Sequence, residues 1–120
     1  MAEIQFTIVG APVPKARPRL GRRGRVYTPA RTKDYEEVVA LEAFDAFRKA
    51  RMRPLEGPLE MSLKVFRDRA VVRLTEVPDT KRFGSFDLDN VLKAISDGLQ
   101  GVAYKNDRQI VFVQAEIIRE

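Results

Sequence analysis

The 120-residue chain contains no cysteine and no histidine. Without cysteine it has no disulfides and no thiolate metal site, which excludes a stapled secreted scaffold. Without histidine it lacks the commonest general base and the usual zinc ligand. Any enzymatic chemistry therefore falls to carboxylates and lysine. Long apolar runs are missing too: none approaches the ~20 residues of a membrane-spanning helix, and the N-terminus has no secretion-type apolar stretch. The expected location is the cytoplasm, with no membrane partner. Acid is scarce in one place only. The first 31 residues hold Lys15, Arg17, Arg19, Arg22, Arg23, Arg25 and Arg31 against Glu3 alone, whereas the remainder sums to −1. The net charge of +5 thus comes entirely from the first quarter of the chain. Such a balance suits a phosphate-rich partner.

What is present supports one modest core: 44% of residues are hydrophobic and 32% charged, enough for a single domain spanning 1–120. Residues 3–9 alternate, with Ile4, Phe6 and Ile8 on one face of a strand. Residues 10–31, with four prolines, three glycines and the basic cluster, read as a long loop. A helix is expected from about Thr32 to Arg51, started by Thr28-Pro29 or Thr32. Its apolar stripe is Tyr35, Val39, Ala43, Ala46, Phe47 and Ala50. A second strand places Leu59, Met61, Leu63 and Val65 on one face. A third is expected over Ala70 to Thr75. A second helix runs from about Asn90 to Gln100, burying Val91, Leu92, Ile95 and Leu99, with Gly101 as its C-cap. The apolar run from Ile110 to Ile118 predicts a strand buried on both faces. The fold class is α+β, a mixed sheet with two main helices.

The chemistry concentrates in Phe86-Asp87-Leu88-Asp89-Asn90-Val91-Leu92-Lys93. If 87–89 is extended, both carboxylates share one face. Asp89, Lys93 and Asp97 then follow at one-turn spacing. Two carboxylates held together repel unless a cation lies between them, and a hard divalent ion such as Mg2+ prefers such oxygen ligands. A bland alternative stands beside this: an aspartate at a helix start is often an N-cap, and Asp89–Lys93 is an ordinary exposed helix pair. A third acid shifts the balance. A ten-residue helix is about 15 Å long, and a short return loop into an adjacent strand would bring Asp107 back toward its N-terminal end.

Three motifs carry a resemblance. They are Gly10-Ala-Pro-Val-Pro-Lys15 with Arg17-Pro-Arg19 and Val26-Tyr27-Thr28-Pro29; Asp87-Leu-Asp-Asn-Val-Leu-Lys93 continuing through Asp97-Gly-Leu-Gln-Gly101; and Tyr104-Lys-Asn-Asp107-Arg-Gln109-Ile110. In order and spacing, over nearly the whole chain, they resemble the RusA-type Holliday junction resolvases. The resemblance implies a RusA-like fold, in which Asp87, Asp89 and Asp107 bind the catalytic Mg2+ (or Mn2+ in its place). It also implies that Lys93 is the functional lysine, that Asn90 supports the motif, and that the enzyme is a homodimer. Two positions depart from the family pattern. Phe86 stands where members often carry a basic residue, and Asn106-Asp107 replaces a frequent pair of aspartates.

On this reading the protein is a Mg2+-dependent endodeoxyribonuclease that resolves four-way junctions by paired symmetric nicks, through attack of water on the phosphodiester. The two-fold symmetry of a junction suits a C2 dimer. Lys93 would stabilise developing charge or orient water. Asp97 would hold Lys93, approach the metal, or act as a cap or solvated charge. Lys15, Arg17, Arg19, Arg22, Arg23 and Arg25 would follow the DNA backbone, with Arg67, Arg69, Arg73, Lys81 and Arg82 extending the patch or simply solvated. Tyr27 would stack on an unpaired base, or equally pack on the first helix. Two rival functions are a non-catalytic basic nucleic-acid-binding module and a metal-dependent nuclease for other branched DNA such as flaps.

Overall fold

The computed structural model describes residues 2–15, 19–20, 26–27, 30–78 and 87–117, the two short pieces at 19–20 and 26–27 as backbone only. In chain order the elements are β1 (Glu3–Val9), β2 (Arg19–Leu20), β3 (Val26–Tyr27), α1 (Ala30–Lys49), β4 (Leu59–Val65), β5 (Arg69–Glu76) and α2 (Leu88–Leu99). A short 3-10 helix at Asp107–Gln109 follows. They fall into two compact units, Met1–Val77 and Pro78–Glu120.

In the first unit, β1, β5 and β4 form an antiparallel sheet in that order. The period-2 pattern of β1 buries Ile4 and Ile8. Register aligns Ile8 with Ala70 and Phe6 with Val72, and on the other side of β5 aligns Leu63 with Val72. α1 packs on this face through Tyr35 and Val39, against Ile8, Ala70 and Val72. The hairpin from β4 to β5 closes over Arg67 and Asp68. There the Phe66 N–H donates to the Arg69 carbonyl at 2.8 Å, and the Arg69 guanidinium lies 3.9 Å above the Phe66 ring centroid. α1 begins at Ala30, beside the expected Pro29 start, and ends at Lys49, two residues before the expected Arg51. Its last turn is a Schellman motif: the Met52 N–H donates to the Phe47 carbonyl, the Arg51 N–H donates to the Arg48 carbonyl, and Arg51 takes φ 56°.

The α+β class matches the expectation, and several details differ. The segment 10–31 is not wholly loop, because β2 and β3 pair antiparallel within it, Arg19 with Tyr27 and Leu20 with Val26. The sheets are antiparallel among the described residues, not mixed. α2 starts at Leu88, two residues early. Residues 110–117 form no strand: Val111 is 95% and Phe112 79% exposed. An apolar run becomes a strand only where a ladder accepts it, and the second unit's described residues contain no sheet. On α2, expected to bury Val91, Leu92, Ile95 and Leu99, the last three are exposed and Val91 is half-buried, with no sheet among the described residues of its own unit to pack on. In the first unit the row Leu59, Met61, Leu63 and Val65 on β4 is likewise exposed.

Candidate functional site

All three aspartates singled out by the sequence lie in the second unit. Asp87 occupies the N-cap of α2 with extended backbone (φ −76°, ψ 120°), yet its side chain makes no capping hydrogen bond. Its Oδ2 instead accepts from Asn90 Nδ2 at 3.2 Å. Asp89 is the second helical residue, so 87–89 is not one extended stretch: Asp87 precedes the helix and Asp89 is within its first turn. A carboxylate there is favoured by the helix dipole. Lys93 follows one turn later, exposed. Asp89 and Lys93 form no ion pair, so the ordinary helix-pair reading is not realised.

After α2 the chain turns through Gly101, whose φ of 86° is the left-handed conformation glycine adopts freely. The Gly101 N–H donates to the Tyr104 carbonyl at 2.6 Å, and the Tyr104 hydroxyl donates to the Ser96 carbonyl at 2.6 Å. These two bonds tie the return loop to the last turn of α2. Asn106 then caps the 3-10 helix, its Oδ1 accepting from the Arg108 N–H at 2.9 Å. Gln109 closes the reciprocal half of a capping box. Its Oε1 accepts from the Lys105 N–H at 2.9 Å and the Asn106 N–H at 3.0 Å. The spacing Asn106-x-x-Gln109 is itself the sequence signal for this box, and it was open to reading there. The Asn-for-Asp difference at position 106 now has a physical reading. Either side chain caps through an oxygen, and the neighbouring Asp107 carboxylate is exposed, with no ion-pair partner among the described residues.

In kind, the donor set fits a hard divalent cation, being all carboxylate oxygen with no competing soft ligand. In arrangement, the described residues hold no group of three acidic side chains gathered closely enough to share one ion. The return of Asp107 to the start of α2, anticipated from the helix length, is thus not seen as a closed ligand cluster. Asp97 is exposed and makes no ion pair with Lys93.

Of the expected DNA-contacting residues, Arg17, Arg22, Arg23 and Arg25 lie outside the described residues, as do the side chains of Arg19 and Tyr27, and also Lys81, Arg82 and Phe86. Lys15 is described, and its Nζ pairs with Glu36 Oε1 at 2.9 Å. Arg69 pairs with Asp68 at 2.9 Å and Arg73 with Glu3 at 3.6 Å. Both pairs are exposed, so each arginine is only loosely held from another anion.

No helix among the described residues is long and apolar enough to cross a membrane. A protein of Bacillus subtilis (strain 168), YqaN, described only as uncharacterized, is 32% identical over 130 aligned positions, covering 90% of this chain and 82% of its own length. No solved structure matches the chain. The model of the family described as endodeoxyribonuclease RusA matches residues 10–120, taking in Asp87, Asp89, Lys93 and Asp107 together with the basic segment. With that span matched, the chain belongs to the RusA endodeoxyribonuclease family.

Proposed function

We propose that this protein is a Mg2+-dependent endodeoxyribonuclease that resolves four-way DNA junctions by paired, symmetric nicks, working as a homodimer in the cytoplasm. One observation carries the reading. Neither Asp87 nor Asp107 spends its carboxylate on a helix amide. Asp87 sits at an N-cap without capping, and Asn106 caps the turn beside Asp107. Two carboxylates are thereby left available to a ligand, and Asp89 adds a third one turn before Lys93.

Asp87, Asp89 and Asp107 are the residues that would hold the ion, Mg2+ or Mn2+. Bound there, it supplies an activated water and neutralises charge on the phosphodiester. Asn90 orients Asp87 through its amide. The Lys93 ammonium donates to oxygen atoms that gain charge as the P–O bond breaks. The basic first quarter of the chain supplies the phosphate contacts that hold the DNA. A junction has two-fold symmetry and needs two opposed cuts, which two copies of one site provide. The exposed apolar row on β4 is surface of the kind that subunit contacts bury.

The test is an end-labelled synthetic junction incubated with and without Mg2+, beside linear duplex and flap substrates. Symmetric cuts on opposed strands of the junction, only with Mg2+, support the proposal. Cuts confined to flaps would make the protein a nuclease of other branched DNA. Binding without cutting in any divalent ion would make it a non-catalytic module.

A further inference from the structure

We infer that Gln109 is a positioning residue for Asp107: its side-chain carbonyl locks the backbone turn that presents this carboxylate. The inference rests on the nuclease reading above and adds a residue to it. Gln109 Oε1 accepts two consecutive backbone N–H groups, those of Lys105 and Asn106. The Gln109 N–H donates back to the Asn106 carbonyl at 3.0 Å, and the Ile110 N–H donates to the Asp107 carbonyl at 3.0 Å. Asp107 is thus bracketed on both sides by backbone bonds, while its own side chain takes part in none of them. Three amides that would otherwise need water are satisfied by the side chains of Asn106 and Gln109. The Tyr104 hydroxyl extends the lock to Ser96 in α2, the helix that Asp87 precedes and that holds Asp89 in its first turn.

The chemistry asks for such a device. A carboxylate on a three-residue turn must be ordered before it can share an ion, and each residue ordered at the moment of binding weakens affinity. Groups that orient ligands without touching the ion typically change affinity by about 10–100-fold when removed. Glutamate at 109 keeps a carbonyl-type acceptor at the same reach and is a usual residue for this position of a capping box. Methionine keeps the length and removes the acceptor.

The experiment compares wild type with Q109A, Q109M and Q109E in four readouts. These are amide hydrogen exchange at Lys105 and Asn106, Mn2+ binding by calorimetry, gel-shift affinity for a junction without metal, and single-turnover cleavage against Mg2+ concentration. Q109A and Q109M are expected to exchange faster at both amides. They should bind Mn2+ about 10-fold or more weakly, and need correspondingly more Mg2+ for half-maximal cleavage. Metal-free junction affinity should not change, and Q109E should recover most of the loss. If Q109A does not fold, Q109M and Q109E carry the comparison. Faster exchange with unchanged Mn2+ binding would overturn the positioning role and leave Gln109 a structural cap. Unchanged exchange would overturn the lock itself. A wild type that neither binds Mn2+ nor cuts would overturn the nuclease reading and the positioning role with it. A wild type that does both, beside variants that match it, would overturn the role of Gln109 alone.

Discussion

Lys93 is exposed on α2, one turn beyond Asp89, and no anion among the described residues holds it. If it serves the chemical step, Lys93→Ala should lower single-turnover cleavage by about 100-fold, the scale of one lost transition-state donor. Junction affinity should fall little, being spread over many phosphate contacts. Lys93→Arg should not fully restore the rate, since a planar fork replaces a compact ammonium. Quench-flow cleavage at saturating enzyme, beside gel shifts on the same variants, checks this. Asp45 offers a separate test. The Arg48 guanidinium, 3.0 Å away, and next the Lys49 ammonium hold its carboxyl below the usual carboxylate range. A folded value below the unfolded one stabilises the fold at pH above the ordinary range, and the contribution is lost as pH falls through the lowered value. An NMR titration should show Asp45 protonating late on acidification, and Arg48→Ala should move it back toward its ordinary range. At this scale the one-turn spacing of Asp89 and Lys93 was legible in the sequence, because helical periodicity alone sets it. The spacing Asn106-x-x-Gln109 carries a capping-box signal, whereas the bond of the Tyr104 hydroxyl to the Ser96 carbonyl has no local spacing that announces it.

The elements were legible where a regular hydrophobic period met a partner within the same unit. Glu3–Val9, Leu59–Val65 and Arg69–Glu76 became strands, and α1 turned Tyr35 and Val39 onto Ile8, as their spacing predicted. The apolar run from Ile110 forms no strand over 110–117, because apolar content reports an appetite for burial, not the presence of a ladder to join. α2 starts two residues before the expected Asn90 because Asp87, not Asp89, is the residue before its first turn. Substitutions can test this account of the elements. Ile8 is only 3% exposed, so Ile8→Ala should cost about 2–5 kcal/mol and lower the melting temperature measurably in calorimetry. Arg51 holds a left-handed φ that suits glycine, so Arg51→Gly should stabilise the fold by about 0.5–1 kcal/mol. An unfolding midpoint that does not rise in urea would show that the end of α1 relaxes without that conformation.

For the whole molecule, the charge imbalance between the first quarter and the rest gives a salt-dependent prediction. Removing Arg17, Arg19, Arg22, Arg23 and Arg25 together should flatten the salt dependence of junction binding by about 0.9 log units per lost phosphate contact. Lys15→Ala should flatten it less, because Glu36 already pairs with that ammonium. Fluorescence anisotropy over a salt series separates the two, and an unchanged slope in the multiple variant would place the DNA elsewhere. The central claim, however, is that Asp87, Asp89 and Asp107 act together on one divalent ion, although the described residues hold no closed cluster of three acidic side chains. The most direct measurement is junction cleavage and junction binding, side by side, for Asp87→Asn, Asp89→Asn and Asp107→Asn in Mg2+. Each variant is expected to lose cleavage while binding the junction as well as wild type or more tightly, since a negative charge facing DNA has been removed. Three variants that still nick the junction at the wild-type rate would contradict the account.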